Sequence, residues 1–213
     1  MNYLCINGSP RKNMNSAKLL DAAAAELKKN GKEVKIYNLY DLNFKGCHSC
    51  FSCKKEHKKS YGECVVKDDL QNILQEVDKA EGLILASPIY FQDVSGEMRS
   101  FLERLLFRKF IYSNPPRTLV EEEKRVGFIY TMNIASAVFE KSPLKGHLEG
   151  LERYIRFIYK DINTYHSFST NQLKDYTGIE YTYFDPKERL KNHKENFPKE
   201  IENVKNFIQK VLH

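Results

Sequence analysis

The sequence predicts an α/β fold wound as a parallel sheet with helices on both faces. Three observations predict it. Short apolar runs alternate along the chain with segments of helical period. The run Gly82-Leu83-Ile84-Leu85-Ala86 has no polar alternation, as a strand buried on both faces requires. Polar, donor-rich turns follow the first, third and fourth apolar runs, at the strand ends where open α/β sheets collect ligands.

The first strand is Tyr3-Leu4-Cys5-Ile6, and the first helix is the pattern Ala17 to Lys29, with Leu20, Ala23, Ala24 and Leu27 on one face and Asn30-Gly31 as its stop. Between them lies Asn7-Gly8-Ser9-Pro10-Arg11-Lys12-Asn13-Met14-Asn15-Ser16. Two readings of this turn stay open. Asn15 and Ser16 suit helix caps, and Gly8-Ser9-Pro10 suits a turn in which Gly8 takes angles other residues avoid. The same stretch also crowds the donors Ser9, Asn13, Asn15 and Ser16 and the cations Arg11 and Lys12 at a helix start, which suits an anion such as a phosphate. The spacing is neither the dinucleotide nor the Walker pattern.

Val34 to Leu39 reads as the second strand. Tyr40 to Lys67 has no periodicity and holds Cys47, Cys50, Cys53 and Cys64, which marks a long functional loop. Asp68-Asp69 caps a helix with the face Leu70, Ile73, Leu74 and Val77, and the third strand, Gly82 to Ala86, leads into the turn Ser87 to Gly96. Ser95 caps the next helix, whose face is Met98, Phe101, Leu102, Leu105 and Leu106. Tyr112 to Glu123, with Pro115-Pro116, is expected to be a surface connection. Val126 to Thr131 is the fourth strand, followed by the polar turn Met132 to Ser136. Leu148, Leu151, Ile155 and Ile158 mark a helix, and a fifth strand is expected within Asp161 to Phe168. Asn171 to Asp185 carries no assignable pattern. Pro198 is expected to open the last helix, with Ile201, Val204, Ile208 and Val211 on one face.

A chain of 213 residues suits one well-buried α/β domain over residues 1–213, and hydrophobic residues at 41% with charged residues at 29% describe an ordinary soluble protein. No apolar run approaches a membrane span and the N-terminus lacks a secretory pattern, so a cytoplasmic protein with no membrane partner is expected. The formal charge of +6 concentrates between Asn43 and Lys67, where six lysines face two glutamates. Aromatic interleaving is missing there, so no nucleic-acid partner is expected, and the segment reads as a solvated loop or a site for an anionic cofactor. Cys5 belongs to the core. The six histidines are scattered and none pairs with a nucleophile in a readable motif, so no catalytic side chain is nominated.

Taken together, Asn7-Gly8-Ser9-Pro10-Arg11 with Asn15-Ser16, Gly46-Cys47-x-x-Cys50-x-x-Cys53 with Cys64-Val65-Val66-Lys67-Asp68-Asp69, and Ser87-Pro88-Ile89-Tyr90-Phe91 with Ser95-Gly96-x-Met98-x-x-Phe101-x-x-Arg104 resemble the flavodoxin-like NAD(P)H-dependent FMN reductases, including their iron–sulfur flavoprotein branch. The resemblance covers about the first 135 residues. It implies a five-stranded sheet in the order 2-1-3-4-5 and FMN as cofactor. It puts Ser9, Arg11, Asn15 and Ser16, with Asn13, on the FMN phosphate. It puts Pro88, Ile89, Tyr90 and Phe91 beside the isoalloxazine ring, and Thr131, Met132 and Asn133 at the ring from the fourth strand, where a glycine-rich turn common among relatives is missing. Read without the resemblance, Ile89 and Phe91 are equally at home in a core.

A flavin brings its own redox chemistry, so the implied activity is an FMN-dependent oxidoreductase with NAD(P)H as donor and a flavin, quinone or other small acceptor. Relatives form homodimers or homotetramers. Cys47, Cys50, Cys53 and Cys64 are a ligand set for a four-iron four-sulfur cluster or for zinc, and free or redox-active thiols are the third reading. A cluster would make the protein an electron carrier with a ferredoxin-like partner. In the iron–sulfur branch the fourth cysteine comes sooner, whereas here the insert Lys54 to Glu63 separates Cys53 from Cys64. A flavin-free module whose thiols sense oxidants or metal is the remaining alternative.

Overall fold

A computed structural model describes residues 2–182 and 184–213. Five strands run parallel: β1 (Asn2–Asn7), β2 (Glu33–Asn38), β3 (Gly82–Tyr90), β7 (Arg125–Thr131) and β8 (Asn163–Ser167), in the spatial order β2-β1-β3-β7-β8. This is the order the resemblance implies. Three short strands are additions: β4 (Asp93–Val94) turns back antiparallel on the end of β3, and β5 (Phe110–Ile111) pairs with β6 (Arg117–Thr118). Only β6 lies within Tyr112 to Glu123, the stretch expected to be a surface connection; β5 precedes it.

Side chains alternate across the sheet and both faces are buried, which is why β1, β3 and β7 read as unbroken apolar runs. Leu4, Ile6, Leu83, Leu85, Val126, Phe128 and Tyr130 face one core, under α2 (Leu70–Lys79), α3 (Gly96–Phe107) and α5 (Pro143–Tyr159). Tyr3, Cys5, Ile84, Ala86 and Ile129 face the other, under α1 (Asn15–Lys29) and α6 (Pro186–Leu212). A short helix, α4 (Ser136–Phe139), leads into α5. Each fully buried large apolar side chain here contributes about 1.5–3 kcal/mol. Cys5 is core as expected, and burial pushes its thiol up to about 12.

Several expectations are corrected. Met14, not Asn15 or Ser16, occupies the cap position of α1; Asn15 and Ser16 are the first two helical residues, and their side chains bond to other parts of the chain. Asp69 occupies the cap position of α2, but its carboxylate accepts from the Asn43 amide at 2.7 Å, and it is Asp68 that accepts from the Leu70 amide, at 3.1 Å. The last helix begins at Pro186, capped by Asp185, whose carboxylate accepts from the Lys187 amide at 2.8 Å; Pro198 sits inside it. Ser95 does cap α3, accepting from the Met98 amide at 3.4 Å. Among the described residues no helix is long and apolar enough to cross a membrane.

Candidate functional site

The turn after β1 is held from three sides. Gly8 donates to the Ala86 carbonyl at 2.8 Å, continuing the β1–β3 ladder, and the Ser95 hydroxyl donates back to the Gly8 carbonyl at 2.5 Å. Gly8 serves by its lack of a side chain: a Cβ there would lie 2.8 Å from Met98 Cβ and 3.2 Å from Ser95 Oγ. Its φ is not positive, so close approach, rather than conformational freedom, is what the position demands. Asn7, buried at the end of β1, accepts from the Ser9 amide at 3.0 Å and donates to Asn38 Oδ1 at 2.9 Å, tying the turn to β2. Ser16 and Thr131, both buried, place their hydroxyls 2.7 Å apart and so join the start of α1 to the end of β7.

The turns after β1, β3 and β7 therefore meet at the carboxyl edge of the sheet. Ser9, Asn15 and Ser16 are buried there, with the free amides of a 15-residue helix and no acidic residue in its first turn. Asn13 is exposed. Arg11 points inward, but Lys12 turns away to pair with Asp41 at 2.6 Å on the surface, so one of the two expected cations is spent elsewhere.

At the end of β3, Pro88 is buried, Ile89 is half-buried and packed on the core, and Tyr90 and Phe91 are exposed. Phe91 and Gln92 form the tip between Tyr90 and Asp93, with φ of 48° and 67°. Two consecutive left-handed residues, neither of them glycine, are costly, and such strain collects at functional sites. Thr131 lines the edge, whereas the Met132 side chain is buried in the core and both its backbone groups pair with the continuation of β8, at Ser167 and Thr170. Asn133 Nδ2 donates to Gln172 Oε1 at 3.1 Å.

Sequence reasoning missed the stretch after β8. Asn15 Nδ2 donates to the Asn171 carbonyl at 2.7 Å and Arg11 donates to the Gln172 carbonyl, so residues 171–172 lie across the turn. Backbone acceptors leave no signature in a sequence, so nothing there could have revealed them.

The cysteines sit elsewhere than at the strand ends. Cys47, Cys50, Cys53 and Cys64 all border one small cavity of about 20 Å³, walled by Phe107, Arg104 and Arg108 from the second half of α3 and just beyond it. The loop runs down α3, because Arg104 draws both of its ends together. The buried guanidinium donates to the Lys45 carbonyl at 3.3 Å, to the Val66 carbonyl at 3.4 Å and to Asp68 at 2.5 Å. The insert does not carry Cys64 away, since the Gly62 amide returns to the Cys53 carbonyl at 2.9 Å, a closure for which Gly62 adopts a φ of +75°.

Ser49 and Phe51, on either side of Cys50, have φ of 51° and 56°. Cys50 is exposed, and the Ser52 amide and hydroxyl hold its thiol below the usual range. Burial raises the Cys53 thiol. Among the described residues no three histidine, cysteine or acidic side chains stand close enough to hold a metal ion. The thiols thus share a cavity without forming a ready-made cage. Within the described residues, the Nε atoms of Arg104 and Arg108 are buried without a partner, and both side chains line that cavity.

Comparison with known proteins agrees with this layout. An iron–sulfur flavoprotein from Archaeoglobus fulgidus is 37% identical over 106 residues, which is 50% of this chain and 46% of that protein. One from Clostridioides difficile is 30% identical over 141 residues, 62% of this chain and 60% of that protein. The matched region spans about half the length of the archaeal relative. Among solved structures, the NAD(P)H:quinone oxidoreductase from Methanothermobacter marburgensis superposes over the whole chain and 96% of its own, with a TM-score of 0.71 at 12% identity. An FMN-dependent NADH-azoreductase from Bacillus anthracis, solved with FMN, superposes over all of both chains with a TM-score of 0.64 at 14% identity. These two likenesses show the fold alone. The model of the NADPH-dependent FMN reductases matches residues 1–136, from β1 through all three converging turns, and the chain belongs to that family.

Proposed function

We propose that this protein is an FMN-dependent NAD(P)H oxidoreductase that reduces a flavin, a quinone or another small acceptor. The observation that carries this reading is the convergence of three turns tied by Ser95 to Gly8 and by Ser16 to Thr131, which sets buried hydroxyl and amide donors at the start of α1. The residues fit the group: Ser9, Asn15 and Ser16 offer short donors beside unpaired helix amides, and Arg11 offers the charge for a phosphate. Asn13, being exposed, stands at the rim.

Pro88, Ile89, Tyr90 and Phe91 would border the ring and Thr131 would reach it from β7, while Met132 is spent on the core. Bound FMN supplies the electron chemistry, accepting from NAD(P)H and passing on to the acceptor. The chain's part is to hold the phosphate, to orient the ring and to leave one ring face open for donor and acceptor in turn; no side chain is needed as acid or base.

Purified protein incubated with FMN and then freed of excess cofactor should retain it and oxidise NADH or NADPH steadily with a quinone present. Failure of both would sink the reading.

A second reading is favoured by the four cysteines around one cavity with two buried arginines. Cys47, Cys50, Cys53 and Cys64 would hold a four-iron four-sulfur cluster, the arginines offsetting its negative charge, and the protein would pass electrons to a ferredoxin-like partner. Because no three of the thiols are preassembled, more than one of them must shift to complete the set. Iron and acid-labile sulfide near four per chain in anaerobically purified protein would support it; neither element present would leave the cysteines as thiols. A homodimer or homotetramer in the cytoplasm is the setting we propose.

A further inference from the structure

Two phosphate donors of the first turn, Arg11 and Asn15, are already engaged, and their acceptors come from one place. Arg11 donates to the Gln172 carbonyl and Asn15 to the Asn171 carbonyl at 2.7 Å, while Asn133 donates to Gln172 Oε1 at 3.1 Å. Residues 170–182 are shaped around the Tyr176 hydroxyl, which donates to Asn171 Oδ1 at 2.6 Å and accepts from the amides of Gln172 at 3.0 Å and Leu173 at 3.3 Å. Tyr181 donates to Gln172 Oε1 at 2.5 Å, and its ring meets that of Tyr176 edge-on at 4.8 Å. Asn171 and Tyr176 are buried, while Lys174, Asp175 and Thr177 to Glu180 are exposed. The segment is thus a strap with an inner face on the phosphate turn and an outer face in water.

Its contacts on Arg11 and Asn15 are made by neutral carbonyl oxygens. A phosphate oxygen is the stronger acceptor for both side chains, because charge-assisted hydrogen bonds are about twice as strong as neutral ones. A buried donor also needs some acceptor at all times, and the strap provides one when no phosphate does.

Building on the FMN reading above, we infer that residues 170–182 are a phosphate-displaced strap: Asn171 and Gln172 hold Arg11 and Asn15 until the phosphate of the cofactor takes them, so that loading of FMN and release of the strap are one event. Loading then carries the cost of undocking the strap, and loosening the strap tightens the cofactor. The competition concerns the phosphate alone, so riboflavin, which has the ring without the phosphate, does not release the strap.

The test uses the full chain, as wild type and as Tyr176→Phe, which keeps the ring but removes the hydroxyl that organises the strap. FMN and riboflavin are titrated against both, and amide hydrogen exchange of residues 170–182 is followed in the wild type with and without inorganic phosphate. Tyr176→Phe is expected to bind FMN three- to tenfold more tightly and riboflavin within twofold of wild type, and phosphate is expected to speed exchange in the strap. Weaker or unchanged FMN binding by Tyr176→Phe, or exchange slowed by phosphate, would show a clasp that closes over the cofactor and would overturn the proposal. If neither protein binds FMN at all, the FMN reading itself is overturned, and the strap proposal falls with it.

Discussion

The Ser16 hydroxyl lies 2.7 Å from the Thr131 hydroxyl, and both are buried. This one contact joins the first helical turn of α1 to the end of β7, 115 residues later, and so fixes two of the three turns that make up the site. Replacing Ser16 with Ala leaves Thr131 Oγ1 buried without its partner. The expected cost is about 1–2 kcal/mol of stability, together with weaker FMN binding. Urea unfolding of wild type and Ser16→Ala measures the first, and FMN fluorescence titration the second.

Arg11 is the one cation of the turn that faces inward, since Lys12 is paired with Asp41. Arg11→Ala is therefore expected to weaken FMN by about 1.5–3 kcal/mol, the scale of a hydrogen bond to a charged group, while Lys12→Ala changes it little. Equal losses in both variants would show that net charge, rather than the position of Arg11, governs affinity.

Gly8 has no room for a side chain, because a Cβ would meet Met98 Cβ at 2.8 Å and Cε at 2.9 Å. Gly8→Ala pushes α3 off the turn and is expected to cost about 1–3 kcal/mol, as overpacking does. Thermal unfolding reads the loss, and a melting temperature equal to that of wild type would show that Met98 yields freely.

Glu152 on α5 carries a pH dependence. Burial, followed by repulsion from Glu149, raises its carboxyl from 4.5 to about 7. The native state thus binds this proton more tightly than the unfolded chain does, so native stability falls as pH rises from about 4.5 to about 7 and the loss is complete above that. Glu152→Gln is expected to gain on the order of 1–2 kcal/mol at alkaline pH, discounted because the group is partly exposed, and nothing in acid. Denaturant midpoints across that range check both the sign and the window.

Thiol reactivity should separate the cysteines in metal-free protein. Ser52 lowers the exposed Cys50 thiol and burial raises Cys5 to about 12, so alkylation followed by mass spectrometry is expected to mark Cys50 first and Cys5 last.

What the sequence revealed follows from what side chains encode. β3 and β7 were legible because both faces are buried, which leaves a run without alternation at Gly82 to Ala86 and at Val126 to Thr131. Ser95 was legible as a cap because a serine there bonds an amide three residues on. The strap was not, since Asn171 and Gln172 reach Asn15 and Arg11 through backbone carbonyls that every residue owns. Nor was the course of the cysteine loop, because Arg104 joins Lys45 to Val66 across a distance in sequence that no local pattern reports. The start of α6 was misplaced at Pro198 although Asp185-Pro186 carries the stronger start signal, a capping carboxylate followed by proline in the first turn.

The most direct test of the central claim is a visible spectrum of anaerobic protein reconstituted with FMN and washed, recorded before and after one equivalent of NADPH or NADH. Retained flavin bands that bleach on adding the nicotinamide are the predicted result. Protein that washes free of FMN, or whose bound flavin is untouched by both nicotinamides, would contradict it.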